Sequence, residues 1–223
     1  MKLKGWFIAC LAIAAIGLAY APQLILAAPR EVSMGTVQKI FYFHVQVAWL
    51  TFLAAFLCAG GSIAYLFKGK GDALAVASAE MTVLFGLCAL ITGPLWARKA
   101  WGVWWQWDAR LTSSLLLFLI LNGYLLARRY GGPAGKKLAA ALSLFAAVDV
   151  PLVYKSVDIW RTVHPQTTVV PSLDPAMRPA FWASFALITL VWGILLTLRL
   201  RLEDARANVE ELQLMVDDLA HDA

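Results

Sequence analysis

Five of the ten tryptophans fall within twelve residues, Trp96 and then Trp101-Gly-Val-Trp104-Trp105-Gln-Trp107, and the run closes on Asp108-Ala-Arg110-Leu-Thr112. Flat aromatic faces suit a flat aromatic ligand, because offset stacking and apolar burial both grow with the face covered. The competing reading is an interfacial belt, since Trp and Tyr collect at both surfaces of a bilayer. A belt spreads its aromatics over all helix ends, however. The opposite ends here carry little beyond Trp6, Tyr65 and Tyr130.

Histidine is the second signal. There are three, and His221 lies in a polar tail without partners. His44 opens an apolar stretch (Phe41-Tyr42-Phe43-His44-Val-Gln-Val-Ala-Trp49), and His164 lies in Ser156-Val-Asp158-Ile-Trp160-Arg161-Thr-Val-His164-Pro165. A single histidine at a membrane interface is ordinarily a hydrogen-bonded structural residue. Two on one face beside a tryptophan platform point instead to ligation. Neutral imidazole is a good axial ligand for haem iron, and two of them on opposite porphyrin faces complete its coordination. Zinc needs a third or fourth protein ligand. Asp108, Asp158 or Asp174 can supply one, but no short-spaced ligand pair supports that alternative. Haem also carries two anionic propionates, for which Arg98, Lys99, Arg110, Arg161 and Arg178 are candidate partners, arginine being suited to bidentate carboxylate contacts. Lipid phosphates have an equal claim on any one of these cations.

Other chemistry is thinly represented. Glu80 and Asp149 sit inside apolar stretches, where an unpaired charge is costly, so each is expected to pair with a neighbouring helix or stay neutral, a proton relay being the lesser reading. Cys10, Cys58 and Cys88 form no CxxC and no metal-ligand spacing, which leaves three inert thiols. There is no GxxxxGK[ST], no nucleophile elbow and no HExxH. The chain is therefore expected not to be an enzyme, and any ATP that drives the process must be bound by another subunit.

The elements that position these residues follow from composition. The 223 residues are 61% hydrophobic and 15% charged, against about a quarter charged in soluble domains. The apolar residues come in blocks rather than at amphipathic spacing, which places the chain among helical membrane proteins. A span needs roughly 20 apolar residues. Six are predicted, at 6–26, 41–67, 74–95, 112–127, 138–157 and 180–199. The fourth looks short unless it extends up to Asp108, and Gly60-Gly61 in the second marks close packing or a bend. The stretch from Trp6 to Leu26 is too long for a signal-peptide core, so it is read as an uncleaved first helix.

The net charge of +5 sits in short clusters between apolar blocks, a pattern of topology-setting loops that argues against nucleic acid as a partner. Eleven basic residues (Lys2, Lys4, Lys68, Lys70, Arg128, Arg129, Lys136, Lys137, Arg199, Arg201 and Arg206) fall on one side and eight on the other. The first group is denser, so both termini are expected to be cytoplasmic. The outer segments are then 27–40, 96–111 and 158–179, and the last carries Pro165, Pro171, Pro175 and Pro179, which favour an ordered loop over a helix. The expected division is a six-span membrane domain at 1–200 and a cytoplasmic amphipathic helix at 201–223. In that tail Leu202, Val209, Leu212, Met215, Val216 and Leu219 recur at helical spacing among acidic residues, a face for a partner subunit or the membrane lipid.

Thr92-Gly-Pro-Leu-Trp96 followed by Trp101-Gly-Val-Trp-Trp-Gln-Trp-Asp108-Ala-Arg-Leu-Thr112 resembles the WWD signature of haem-handling proteins. Length, span count and the order histidine, WWD segment, histidine are similar to the CcmC family of cytochrome c maturation system I, over roughly residues 6–200. That resemblance implies a protein of the bacterial inner membrane, with the WWD loop periplasmic, that binds b-type haem transiently between two histidines and presents it to the haem chaperone CcmE. It also implies work alongside the ABC-type pair CcmA and CcmB and the small protein CcmD. Carried over by position, the axial ligands to iron are His44 and His164, and the platform is Trp101, Trp104, Trp105, Trp107 and Asp108. Two positions depart from the family pattern: Gln46 replaces a proline, and Ile159-Trp160 replaces a tryptophan pair. Two other functions remain open from the residues themselves. A cytochrome b-type redox subunit normally holds its histidine pairs within the helices, whereas these map to the outer edge. An ABC exporter permease needs a cytoplasmic coupling helix, for which the inner loops 68–73 and 128–137 look too short.

Overall fold

The computed structural model describes residues 4–221. Lys2, one of the inner basic residues, and the side chains of Leu219 and His221 lie outside the described residues. Six helices follow one another, α1 (Gly5–Ala27), α2 (Phe41–Lys68), α3 (Asp72–Ala100), α4 (Ala109–Tyr130), α5 (Gly135–Ile159) and α6 (Arg178–His221). All six are long and apolar enough to cross a membrane, and the chain is an all-α polytopic membrane protein. Among the described residues the only bridge pairing outside helices is Glu31 with Gly35, within the first outer turn.

The helices run further than their apolar blocks. α3 continues through Ala100, so Trp96 and the four residues after it are helical rather than loop. α4 starts directly after Asp108, whose side chain accepts the Leu111 N–H and caps the helix, which gives 22 residues where a short span is expected. An N-cap carboxylate satisfies donors that an apolar interface leaves stranded. The outer connections shrink to residues 28–40, 101–108 and 160–177.

Four apolar cores hold the helices together, one of them at the outer end around Phe41, Trp96 and Phe181. Ala55 and Cys58 of α2, Ala75, Val76 and Ala79 of α3, Leu117, Leu121 and Tyr124 of α4, and Ala139, Ala146 and Val150 of α5 form one. The small residues matter, because without a hydrophobic drive between spans the helices associate through close backbone approach. At Gly61 a Cβ would stand 2.7 Å from the Ala75 backbone nitrogen, so α2 and α3 touch there. Val47, Leu50 and Ala54 of α2, Met81 and Phe85 of α3 and Trp192 of α6 form the second core. α1 is peripheral, and only Phe7 and Ala14 are buried, packed with Ile194 of α6.

The inner ends are closed by ion pairs. Arg128 makes two hydrogen bonds to Asp72, at 2.5 and 2.9 Å, with Lys136 3.2 Å from the same carboxylate. Glu80, one of the two acids at membrane depth, receives Arg199 of α6, which also bonds Glu203 at 2.8 Å. Asp149, the other, is buried, and its Oδ2 has no partner among the described residues. α6 continues through residue 200 without a break for 44 residues, about 66 Å at 1.5 Å per residue, against a hydrocarbon core of about 30 Å. Its last described turns expose Leu202, Val209, Leu212, Met215 and Val216.

Candidate functional site

At the outer end α2, α3 and α4 line a cleft with about 800 Å³ of empty space, open solvent at its mouth included. His44 and His164 both line it, with Trp101, Trp105 and Arg110. Most of the rest of the wall is apolar, including Ala48, Phe52, Ala89, Leu90, Leu111 and Leu117.

His44 stands in the first turn of α2, on a face fixed by the helix. Its Nδ1 lies 2.9 Å from Thr92 Oγ1, and that hydroxyl donates its own proton to the Cys88 carbonyl at 2.7 Å. With the hydroxyl hydrogen spent, Thr92 accepts, so His44 Nδ1 carries the proton and Nε2 presents a lone pair. His164 reaches the same state by another route, because Nδ1 lies 2.8 Å from the Pro165 carbonyl, which can only accept. Burial first, and then the Arg110 charge, push the His164 imidazole down to about 4, so it is neutral at ordinary pH. Both rings thus have the tautomer of a metal-binding histidine, one nitrogen bonded to a protein oxygen and the other open.

The Thr92-Gly93-Pro94 run of α3 has a separate job at each position. Thr92 orients His44. Gly93 makes room for it, since a Cβ there would sit 3.3 Å from His44 Cε1. Pro94 interrupts the hydrogen bonding of α3 at the cleft wall, because it has no N–H to offer the carbonyl four residues back. Trp96 is buried behind the histidine, edge-on to it at 5.7 Å, and tilted by 33° against Trp101 at 5.7 Å. Its ring backs the site rather than facing it.

The tryptophans divide. Trp101 and Trp105 line the cleft, and the buried indole N–H of Trp105 has no partner among the described residues. Trp104 and Trp107 lie outside it, 57% and 77% exposed. Arg110 lines the cleft while its Nη1 donates to the Val153 and Tyr154 carbonyls, both at 2.9 Å. Arg161 is exposed and not among the lining residues. Asp108 also does not line the cleft. Its two oxygens are taken by Leu111 N–H, at 2.8 Å, and by the Thr162 hydroxyl. The alternative donors Asp158 and Asp174 are elsewhere, Asp158 bonded to Thr167 and Lys155, and Asp174 to the Ala176 N–H. Among the described residues no three of His, Cys, Asp or Glu converge as for a bare metal ion. Thr92 is the residue that sequence reasoning left out. The signal for it was present in the Thr92-to-Trp96 run, but the 48-residue separation from His44 hid the pairing.

The family model of heme exporter protein C, CcmC, matches residues 1–218. The chain belongs to the CcmC family. It is 35% identical over 228 residues to heme exporter protein C of Escherichia coli (strain K12), covering 95% of this chain and 91% of that one. It is 35% identical over 196 residues to the protein of the same name from Bradyrhizobium diazoefficiens, covering 84% and 74%. A putative cytochrome c biosynthesis ccmC-like mitochondrial protein of Arabidopsis thaliana is 31% identical over 185 residues, covering 78% of this chain and 69% of its own. Against these lengths the two departures have a local meaning. Gln46 is buried and donates to the Phe181 carbonyl at 3.3 Å, a tie from α2 to α6 that a proline cannot make. Ile159 and Trp160 are exposed at the end of α5.

Proposed function

We propose that this protein binds haem as cargo at the outer end of the bundle and hands it to a periplasmic haem chaperone of the CcmE kind for cytochrome c assembly. Membership of the CcmC family supports a role in haem handling for cytochrome c biogenesis. The observation that carries the finer reading is the pair of imidazoles lining one apolar cleft, each with Nδ1 committed and Nε2 open. Two ligands are too few for a bare metal ion, but suffice when a porphyrin supplies four nitrogens. His44 and His164 are assigned as axial ligands, Trp101 and Trp105 as the aromatic wall, and Arg110 as the cation for a propionate, with the exposed Arg161 as a second candidate cation. The iron supplies the affinity for the two imidazoles. The chain supplies their tautomers, an apolar enclosure and a compensating charge.

The exposed Trp104 and Trp107 are assigned to the chaperone rather than to haem, because bare indoles beside a cargo site suit a docking surface. The CcmA/CcmB-type ABC pair and a CcmD-like small protein are the expected assembly partners, in a bacterial inner membrane with the tryptophan loop on the periplasmic side. The test is the absorption spectrum of the purified protein from haem-replete cells, for wild type, His44→Ala and His164→Ala. A bis-imidazole spectrum that both variants lose is the expected result. A wild-type protein that stays colourless when haem is abundant overturns the reading.

A further inference from the structure

The two histidines are held by unequal means. His44 belongs to α2 and is bonded side chain to side chain across to α3. His164 lies five residues beyond the end of α5, in a connection without regular structure around it. What ties that connection to the bundle near the histidine is a short relay. The His164 backbone N–H donates to Thr162 Oγ1 at 3.1 Å, and the Thr162 hydroxyl donates to Asp108 Oδ2. Asp108 Oδ1 in turn accepts the Leu111 N–H at 2.8 Å, at the first turn of α4. The Thr162 oxygen therefore accepts on one side and donates on the other. It joins the loop histidine to the first turn of α4.

We propose that Thr162 is the positioning residue for His164, and that the Asp108–Thr162 link makes the His164 side of the haem site the releasable one. The inference rests on the reading of the cleft as a haem site and assigns a division of labour within it. A ligand on a helix is held by that helix's backbone bonds, whereas one on a loop with few ties opens more readily. Asp108 then acts at a distance from the cargo. It caps α4 with one oxygen and latches the loop with the other, which accounts for an acid at the end of the tryptophan run that does not line the cleft.

Thr162→Val keeps the shape of the side chain and removes the hydroxyl, while Thr162→Ser keeps the hydroxyl and removes a methyl. Both are compared with wild type and His164→Ala as full-length protein in detergent, loaded with haem, by ferric absorption and electron paramagnetic resonance. Wild type and Thr162→Ser are expected to be six-coordinate and low-spin. Thr162→Val is expected to show a high-spin population at least tenfold larger than wild type, converted back to low-spin by free imidazole, as in His164→Ala. If Thr162→Val and wild type have the same spin state and the same haem off-rate to apomyoglobin, Thr162 does not position the ligand and the proposal fails. It fails equally if Thr162→Ser behaves as Thr162→Val, since the hydroxyl is then not the operative group. Should Thr162→Val not accumulate, Asp108→Ser carries the same comparison. Its hydroxyl keeps the α4 cap but leaves no second oxygen for the Thr162 hydroxyl, and a wild-type spectrum there counts against the latch. Wild-type protein without imidazole-ligated haem is a different failure, that of the haem reading itself.

Discussion

The two ends of this bundle are built on opposite plans. At the inner end, charges meet charges. Arg128 and Lys136 converge on Asp72, and Arg199 bridges Glu80 and Glu203 with Arg206 beyond. At the outer end, the Lys155–Asp158 pair apart, charges are bonded to neutral groups. Arg110 donates to helix carbonyls, Arg98 to the Gly102 carbonyl, and Arg178 to the Leu173 carbonyl. A guanidinium bonded to carbonyls keeps its full charge, so an anion that enters finds uncompensated cations. The inner plan closes the bundle, and the outer plan leaves it ready for an anionic, apolar guest.

The largest test of that contrast is His44→Ala, which removes the proposed ligand carried by a helix. Haem co-purifying with the protein is expected to fall to background while the far-ultraviolet helix signal stays. Next is Thr92→Val, which frees the His44 tautomer. A lost partner behind a ligating histidine typically costs about 10–100-fold in metal affinity, so haem retained after gel filtration should drop within that range. Retention equal to wild type would remove Thr92 from the site.

The converse test lies at the inner end. Arg199→Ala strands Glu80 at membrane depth, so thermal stability in detergent should fall by about 2 kcal/mol, discounted from the fully buried case because both partners are partly exposed. Haem content per folded molecule is expected to be unchanged. If haem falls as steeply as stability, the two ends are not separable. The smallest expected effect distinguishes the tryptophans. Trp101→Ala should weaken haem retention several-fold, whereas Trp107→Ala should leave retention alone and weaken only capture by the chaperone, measured by co-purification. Equal haem loss in both would restore the undivided platform.

Much of this was legible in the residues. Apolar blocks announced six helices because lipid forces every backbone group to bond within its own span. The tryptophan run and the pair His44 and His164 stood out because they are rare types gathered at one edge. Helix ends were less legible. Asp108 as an N-cap and the reach of α3 through Ala100 depend on local hydrogen bonds that hydropathy does not register.

By itself, then, the sequence determined how many helices there are and that the aromatic and imidazole groups gather at one end of them, because each of these depends on contiguous composition. Only the tertiary structure decided which groups meet. Thr92 and His44 are 48 residues apart, Asp108 and Thr162 are 54 apart, and Glu80 and Arg199 are 119 apart. Such pairings arise from how faces of different helices dock, and that is a property of packing which no local pattern encodes. For the same reason Trp101 and Trp105 line the cleft while Trp104 and Trp107 face outward, although all four are alike as letters in a row.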